Sequence, residues 1–246
     1  MIEDILPAGI RFAEAFDDSE APDWFPEEEA LVARAVEKRR REFATVRRLA
    51  RTALGSLGVP KVPLLPGKRG APQWPDGIVG SMTHCAGYRG AVATRGCDFA
   101  SVGIDAEPHE RLPQGVMDAV SLPEERERLA AWPALAAGVF ADRLLFSAKE
   151  SVFKTWYPLT GRELGFDEAS ITFTCETAVS GGFGARLLVP GPEVGGQRVD
   201  RFTGRWTARR GLVLTAITLP AVRIPARAAQ DDTVRQSAED LVRREP

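Results

Sequence analysis

Cysteine is scarce in this chain of 246 residues: Cys85, Cys97 and Cys175 are odd in number, widely spaced and form no CxxC pair. That leaves no disulfide framework and no zinc signature, and it fits a reducing cytoplasm. There are two histidines in all, and neither Ser81 nor Ser151 sits in a nucleophile-elbow context, which argues against a Ser-His-Asp triad. No GxxxxGK[ST] loop is present, and no GxGxxG follows a strand and opens a helix, so the ordinary nucleotide folds are disfavoured. No apolar run approaches a membrane span, and the first residues, Met1 to Pro7, carry Glu3 and Asp4 where a secretory leader would be basic. A net charge of −2 with a pI near 5.9 lacks the strongly basic footprint of a general nucleic-acid binder. The expectation is a soluble cytoplasmic protein with no nucleic-acid or membrane partner, able to bury a sizeable core as one domain or two halves.

The residues that are present fall into a repeated order. Pro26 followed by Glu27, Glu28 and Glu29 opens a helix, because proline suits the first helical position and acids favour the positive end of the dipole. Apolar residues then recur at helical spacing to Gly58, predicting one long helix or two nearly collinear ones. Its exposed side is basic, with Lys38, Arg39, Arg40, Arg41, Arg47, Arg48 and Arg51. Such a run is either a solvated surface paired with the early glutamates or an anion site, and both readings stand. A loop rich in proline and glycine follows over 59–77, with Lys68 and Arg69 at its tip. Strands are expected at 78–82, 89–94 and 101–107, with 83–87 as a loop between the first two. Short helices broken by prolines lead to a stronger helix over 139–156, ending before Tyr157-Pro158. Four antiparallel strands follow at 171–175, 185–189, 203–208 and 212–219, with Arg210-Gly211 in the last tight turn. Helix then meander thus occurs twice. Residues 1–108 form a first half, 109–220 a second, and 221–246 a flexible tail.

Two clusters carry chemistry. In Val102-Gly103-Ile104-Asp105-Ala106-Glu107-Pro108 the period of two places Asp105 and Glu107 on one side, roughly 6.6 Å apart along the backbone. Taken alone, the pair reads first as the solvated face of an edge strand. On the second helix Glu150 and Lys154 share a face, with Lys149, Phe153 and Trp156 around them. If Asp105, Glu107 and Glu150 converge, hard oxygen ligands without histidine or cysteine point to Mg²⁺ or Mn²⁺ in an incomplete cage that keeps waters and favours phosphates. With the arginine-rich helix this suggests phosphoryl chemistry on a polyanionic small molecule.

The first cluster, followed by Phe146-Ser147-Ala148-Lys149-Glu150-Ser151-Val152-Phe153-Lys154, resembles the paired signature of 4′-phosphopantetheinyl transferases of the Sfp/EntD type, above all the actinobacterial enzymes. Lys38-Arg39-Arg40-Arg41-Glu42-Phe43, Trp74-Pro75-Asp76-Gly77 and Gly80-Ser81-Met82-Thr83-His84-Cys85-Ala86-Gly87-Tyr88 look like further blocks of that family. The resemblance spans roughly 27–220 and implies an α+β pseudo-dimer of two similar halves, each a long helix on a small antiparallel sheet. It implies a monomeric enzyme that moves 4′-phosphopantetheine from coenzyme A to a serine of acyl or peptidyl carrier proteins, releasing 3′,5′-ADP, as siderophore, polyketide and nonribosomal peptide assembly require.

Carried over, Asp105, Glu107 and Glu150 are Mg²⁺ ligands, Glu150 also the candidate base, and Lys154 a phosphate contact. Arg39, Arg47, Thr83 and His84 bind the 3′-phosphate and adenosine end of coenzyme A, with Lys68, Arg69 and Lys149 nearby. Pro66 stands where relatives often have lysine, so some of that loop's contacts are either lost or taken over by Lys68. His109 is read as surface, Trp206 as core, and Val116, Met117 and Leu122 as part of a carrier-docking patch. Two other readings remain: a Mg²⁺-dependent phosphodiesterase acting on a nucleotide pyrophosphate, and a non-catalytic coenzyme A or carrier-binding module.

Overall fold

A computed structural model describes residues 1–221, so the tail expected over 221–246 lies, beyond Ala221, outside the described residues. The chain builds two antiparallel sheets with one long helix on each. The first sheet has the order β1-β3-β2, from β1 (Arg11–Ala15), β2 (Ile78–Cys85) and β3 (Tyr88–Arg95). The second has the order β4-β10-β9-β6-β5 and uses β4 (Phe99–Pro108), β5 (Ala169–Thr177), β6 (Ser180–Leu187), β9 (Arg201–Arg209) and β10 (Leu212–Pro220). A small hairpin, β7 (Glu193–Val194) with β8 (Gln197–Arg198), was not expected from the sequence. Arg210 and Gly211 close the last turn with φ of 53° and 72°, the paired positive values that a two-residue hairpin with native twist needs.

The first long helix is not continuous. It splits into α1 (Pro26–Val32) and α2 (Glu37–Gly55), because its charges pair across the fold-back. Arg51 donates to both carboxylate oxygens of fully buried Glu28, at 2.7 and 2.9 Å, although the two are 23 residues apart. An unbroken helix would hold residues so spaced roughly 35 Å apart at 1.5 Å per residue. Glu28 also accepts the Leu64 N–H at 2.8 Å, so one buried carboxylate fixes α1, α2 and the start of the long loop together.

α5 (Ala141–Thr160) runs one turn further than the sequence suggested and includes Pro158. Proline is tolerated here because the helix is already closing: Gly161 takes the left-handed cap at φ 62°, and its N–H bonds the Tyr157 carbonyl at 2.8 Å. Fully buried Trp156 anchors that end through a bond from Nε1 to the Arg162 carbonyl at 2.9 Å. His109 is half-buried rather than on the surface. Its Nε2 accepts the Phe140 N–H at 3.1 Å, capping the start of α5. Short helices α3 (Val116–Val120) and α4 (Pro123–Ala130) bridge β4 to α5. Met117 packs against the core beside Leu129 and Trp132, and Trp206 is fully buried as expected.

The two sheets meet where β2 runs beside β4, and they do so without a backbone ladder. The hydroxyls of Ser81 and Thr83 on β2 accept the N–H groups of Ile104 and Ala106 on β4, each at 3.1 Å. β4 itself is hydrogen bonded to β10, with Asp105 opposite Thr215. One face of β4, through Val102, Ile104 and Ala106, enters the core with Ile2, Ile5 and Leu214. The other lies under α5 at Gly103, where an added Cβ would fall on the Ser151 carbonyl and the Thr155 hydroxyl. Gly103→Ala is therefore expected to lower stability by about 1–3 kcal/mol, and to reduce activity more than a cavity mutation of equal cost, because it pushes α5 off the strand that carries Asp105. Urea melts alongside turnover rates check this; unchanged values for both would show that the gap is not tight.

Candidate active site

β4 and α5 together present the acidic cluster. Asp105 is buried, and its Oδ1 takes the Lys154 ammonium at 2.8 Å and the Thr83 hydroxyl at 3.2 Å. Its Oδ2 is buried with no hydrogen-bond partner among the described residues. Glu107, two residues on and on the same face, accepts Arg143 Nη1 at 2.9 Å. Glu150 faces the cluster from α5 and has no hydrogen-bond partner among the described residues. Burial, and then the charge of Asp105, raise the pKa values of both Glu107 and Glu150 above the ordinary carboxylate range. Asp105 is thus the shared neighbour of two glutamates that meet it from two elements.

Among the described residues no three histidine, cysteine or acidic side chains are drawn close enough to form a metal cage by themselves. The expected convergence is centred on Asp105 rather than fully closed. The donor set still fits Mg²⁺: an unpartnered buried carboxylate oxygen, and two carboxylates whose pKa values burial and a neighbouring carboxylate raise, are what a hard cation relieves, and Mg²⁺ retains waters in place of missing ligands.

A cleft of about 480 Å³ opens beside Glu150 and Lys154, walled by Trp74, Met82, Phe153 and Tyr157, with Arg69 at its rim. Trp74 lies flat on β2 because position 80 is glycine; a Cβ there would meet the indole at 2.6 Å. A second cleft of about 480 Å³ shares Gly70, Pro72 and Met82 with the first and is lined by Arg39, Arg47 and His84. One groove therefore has Glu150 at one end and a cationic group at the other.

Within that groove the expected residues divide. β2 continues through Cys85 and turns at Ala86-Gly87, so 83–87 is not a loop, and Thr83 and His84 point to opposite faces. Thr83 is buried, with its hydroxyl committed to Asp105, the Ala106 N–H and Lys154. It lies at the acidic end rather than with His84. His84 is partly exposed, and its Nε2 meets Arg39 Nη1 at 2.8 Å. Burial and then Arg39 hold its pKa below the usual value, so the ring is neutral at pH 7 and accepts from the guanidinium.

Arg47 and Arg51, expected on the exposed basic side, are buried. Arg47 Nε donates to the Leu64 carbonyl at 3.0 Å, and its guanidinium stacks on Phe43. Burial draws it down to about 10, against the pull of Glu28, so it keeps its charge and still lines the cationic cleft. The other arginines of the run do pair with acids: Arg40 with Glu29, Arg41 with Glu37 and Arg48 with Glu20. Arg69, in a left-handed conformation at φ 57°, pairs with Glu163 across the mouth of the first cleft, and Lys68 sits exposed beside it.

The structure does not bring Lys149 to either of these two clefts. Its ammonium is buried and satisfied by Glu125 at 2.7 Å and by the carbonyls of Phe166 and Ala169 at 2.5 and 3.1 Å, which uses all three donors. Period explains the split: Lys149 and Glu150 are adjacent on a helix and cannot share a face. Arg143 is the residue that sequence reasoning missed. It precedes Glu150 by two turns and Lys154 by three, so helical spacing alone puts it on the same face.

Comparison with known proteins finds two family models that match the chain. A model of the 4′-phosphopantetheinyl transferase N-terminal domain matches residues 27–94, and one of the 4′-phosphopantetheinyl transferase superfamily matches residues 101–188. The chain is 60% identical over 236 residues to the 4′-phosphopantetheinyl transferase Svp of Streptomyces mobaraensis, covering 94% of this chain and 93% of that one. It is 50% identical over 224 residues to PptT of Mycobacterium tuberculosis, covering 89% and 98%. Over 157 residues, 64% of each chain, it is 35% identical to enterobactin synthase component D of Salmonella typhimurium.

Proposed function

The chain belongs to the 4′-phosphopantetheinyl transferases, and on that premise we propose that it moves the phosphopantetheine group of coenzyme A to a carrier-protein serine in the two-ended groove described above. The observation that carries this reading is Glu150, an unpartnered carboxylate facing Asp105 at the foot of a cleft whose far end is cationic. Arg39, His84 and Arg47 hold the 3′-phosphate and adenosine end of coenzyme A, with Lys68 and Arg69 along the rim. Lys154 holds the phosphates at the reacting end. Asp105, Glu107 and Glu150 would hold Mg²⁺, which supplies charge neutralisation to the phosphate oxygens when bound.

The serine Oγ forms a bond to the phosphorus next to pantetheine, the bond from that phosphorus to 3′,5′-ADP breaks, and Glu150 takes the serine proton. A raised pKa suits that task, because it lets the carboxylate hold a proton more tightly than a solvated glutamate does. Thr83 and Arg143 position the carboxylates: Thr83 donates to Asp105, and Arg143 donates to Glu107. The remaining rate enhancement is positioning and electrostatics. The protein acts as a monomer in the cytoplasm, where its three free cysteines are at home. Among the described residues no helix is long and apolar enough to cross a membrane. The two helix-on-sheet units are read as the halves of a pseudo-dimer, and the likeness to enterobactin synthase component D supports siderophore-type peptidyl carriers among the acceptors.

The test is incubation with coenzyme A, Mg²⁺ and apo carriers of fatty-acid, polyketide and peptide type. The expected result is a mass gain of one phosphopantetheine on at least one carrier. Release of 3′,5′-ADP with no carrier modified would instead favour a phosphodiesterase, and binding of coenzyme A without turnover would favour a non-catalytic module.

A further inference from the structure

Behind His84 lies a charged chain that the reaction does not touch. His84 is cross-strand partner to Arg89 on β3, which is buried and uses every N–H of its guanidinium. Nε and Nη2 grip the Asp18 carboxylate at 3.1 and 2.7 Å, Nη2 also reaches Glu42 Oε1 at 3.2 Å, and Nη1 donates to the carbonyls of Cys85 and Tyr88. Five donors meet five acceptors on four segments: the lead-in after β1, α2, and the two strands of the β2–β3 hairpin. Glu42 turns its other oxygen to His84 Nδ1 at 3.9 Å and stands three residues from Arg39 on α2, close enough to draw that arginine away.

We propose that Arg89 is a positioning residue for the cationic end of the groove: by neutralising Glu42 it leaves Arg39 and His84 free to meet an incoming phosphate. Without Arg89 a half-buried carboxylate would stand uncompensated beside a site built for a phosphate dianion, repelling the ligand and competing for Arg39. The effect is local, since Arg89 lies on the far side of β2 and β3 from the acidic cluster. This inference rests on the reading that Arg39 and His84 bind the 3′-phosphate of coenzyme A.

The test compares KM for coenzyme A and for 3′-dephospho-coenzyme A in the full chain, with wild type, Arg39→Ala, Arg89→Ala and Arg89→Ala/Glu42→Gln. Arg89→Ala is expected to lower the preference for the 3′-phosphorylated donor by about tenfold, a change of the size one lost charge interaction gives, while KM for the dephospho donor and kcat stay near wild type. The double variant, which removes the uncompensated carboxylate, is expected to regain most of that preference. A residue that merely holds the hairpin would weaken both donors alike and would not be rescued by Glu42→Gln. Where Arg89→Ala does not fold, Arg89→Gln keeps donors to Asp18 and the turn while dropping the charge, and the same comparison is read from it. Equal losses for both donors, or no rescue in the double variant, would overturn the inference provided Arg39→Ala has lost the preference. If Arg39→Ala keeps it, the 3′-phosphate reading itself fails and the inference falls with it.

Discussion

Glu150→Gln is expected to slow phosphopantetheine transfer by about 10²–10⁴, the usual worth of a positioned general base, and at the same time to leave the protein as stable as wild type or more so. The two effects have one cause. Burial and the neighbouring Asp105 make the ionised form of Glu150 costly, and no described residue donates a hydrogen bond to offset that cost. Glutamine has the same shape and no charge, so it removes the penalty together with the base. The pH dependence follows with its sign. A carboxyl whose folded pKa is raised contributes stability that is fully present below the unfolded value of about 4.5 and is lost as pH climbs through the folded value. Thermal melts in chelator should therefore coincide for variant and wild type at the acid end and separate in the variant's favour as pH rises. A variant that is slow but equally destabilised at every pH would mean that Glu150 is structural, and one with wild-type turnover would remove it from the mechanism.

That Asp105 and Glu107 share one face, and Glu150 and Lys154 another, was legible in the sequence; how these groups are served was not. Period-two reading put Asp105 and Glu107 on one face of β4, and the four-residue spacing put Glu150 and Lys154 on one face of α5, because both rules describe a single element. The ion pair between Lys154 and Asp105 joins two elements and depends on how α5 docks, which Gly103 permits by lacking a side chain. The same limit hid the burial of Arg47 and Arg51. A helix read on its own shows a basic face, and only the fold-back of α1 brings Glu28 to it. The split of Thr83 from His84 was within reach. Adjacent residues of a strand point to opposite faces, and a two-residue turn at Ala86-Gly87, with Gly87 at φ 78°, lets the strand run on through Thr83 and His84 to Cys85.

Lys149 separates a site residue from a structural one most sharply. Its helix neighbour is the candidate base, yet its own ammonium is sealed against Glu125, which is itself almost fully buried and also accepts the N–H groups of Leu122 at 2.8 Å and Ile171 at 2.7 Å. This pair ties α4 to α5 and to the edge strand β5. Lys149→Met leaves the Glu125 charge buried without its partner and is expected to cost about 3–5 kcal/mol, a fall in Tm on the order of 10 °C for a chain of this size. Adding Glu125→Gln removes the stranded charge while keeping an acceptor for the backbone, and should recover a large part of the loss. Turnover per folded molecule should change little in either variant, since no donor of Lys149 is left for a phosphate. A Lys149→Met protein that melts like wild type but binds coenzyme A poorly would reverse this assignment and return Lys149 to the phosphate end. A protein that loses its fold and regains it with Glu125→Gln would establish that Lys149 serves the scaffold.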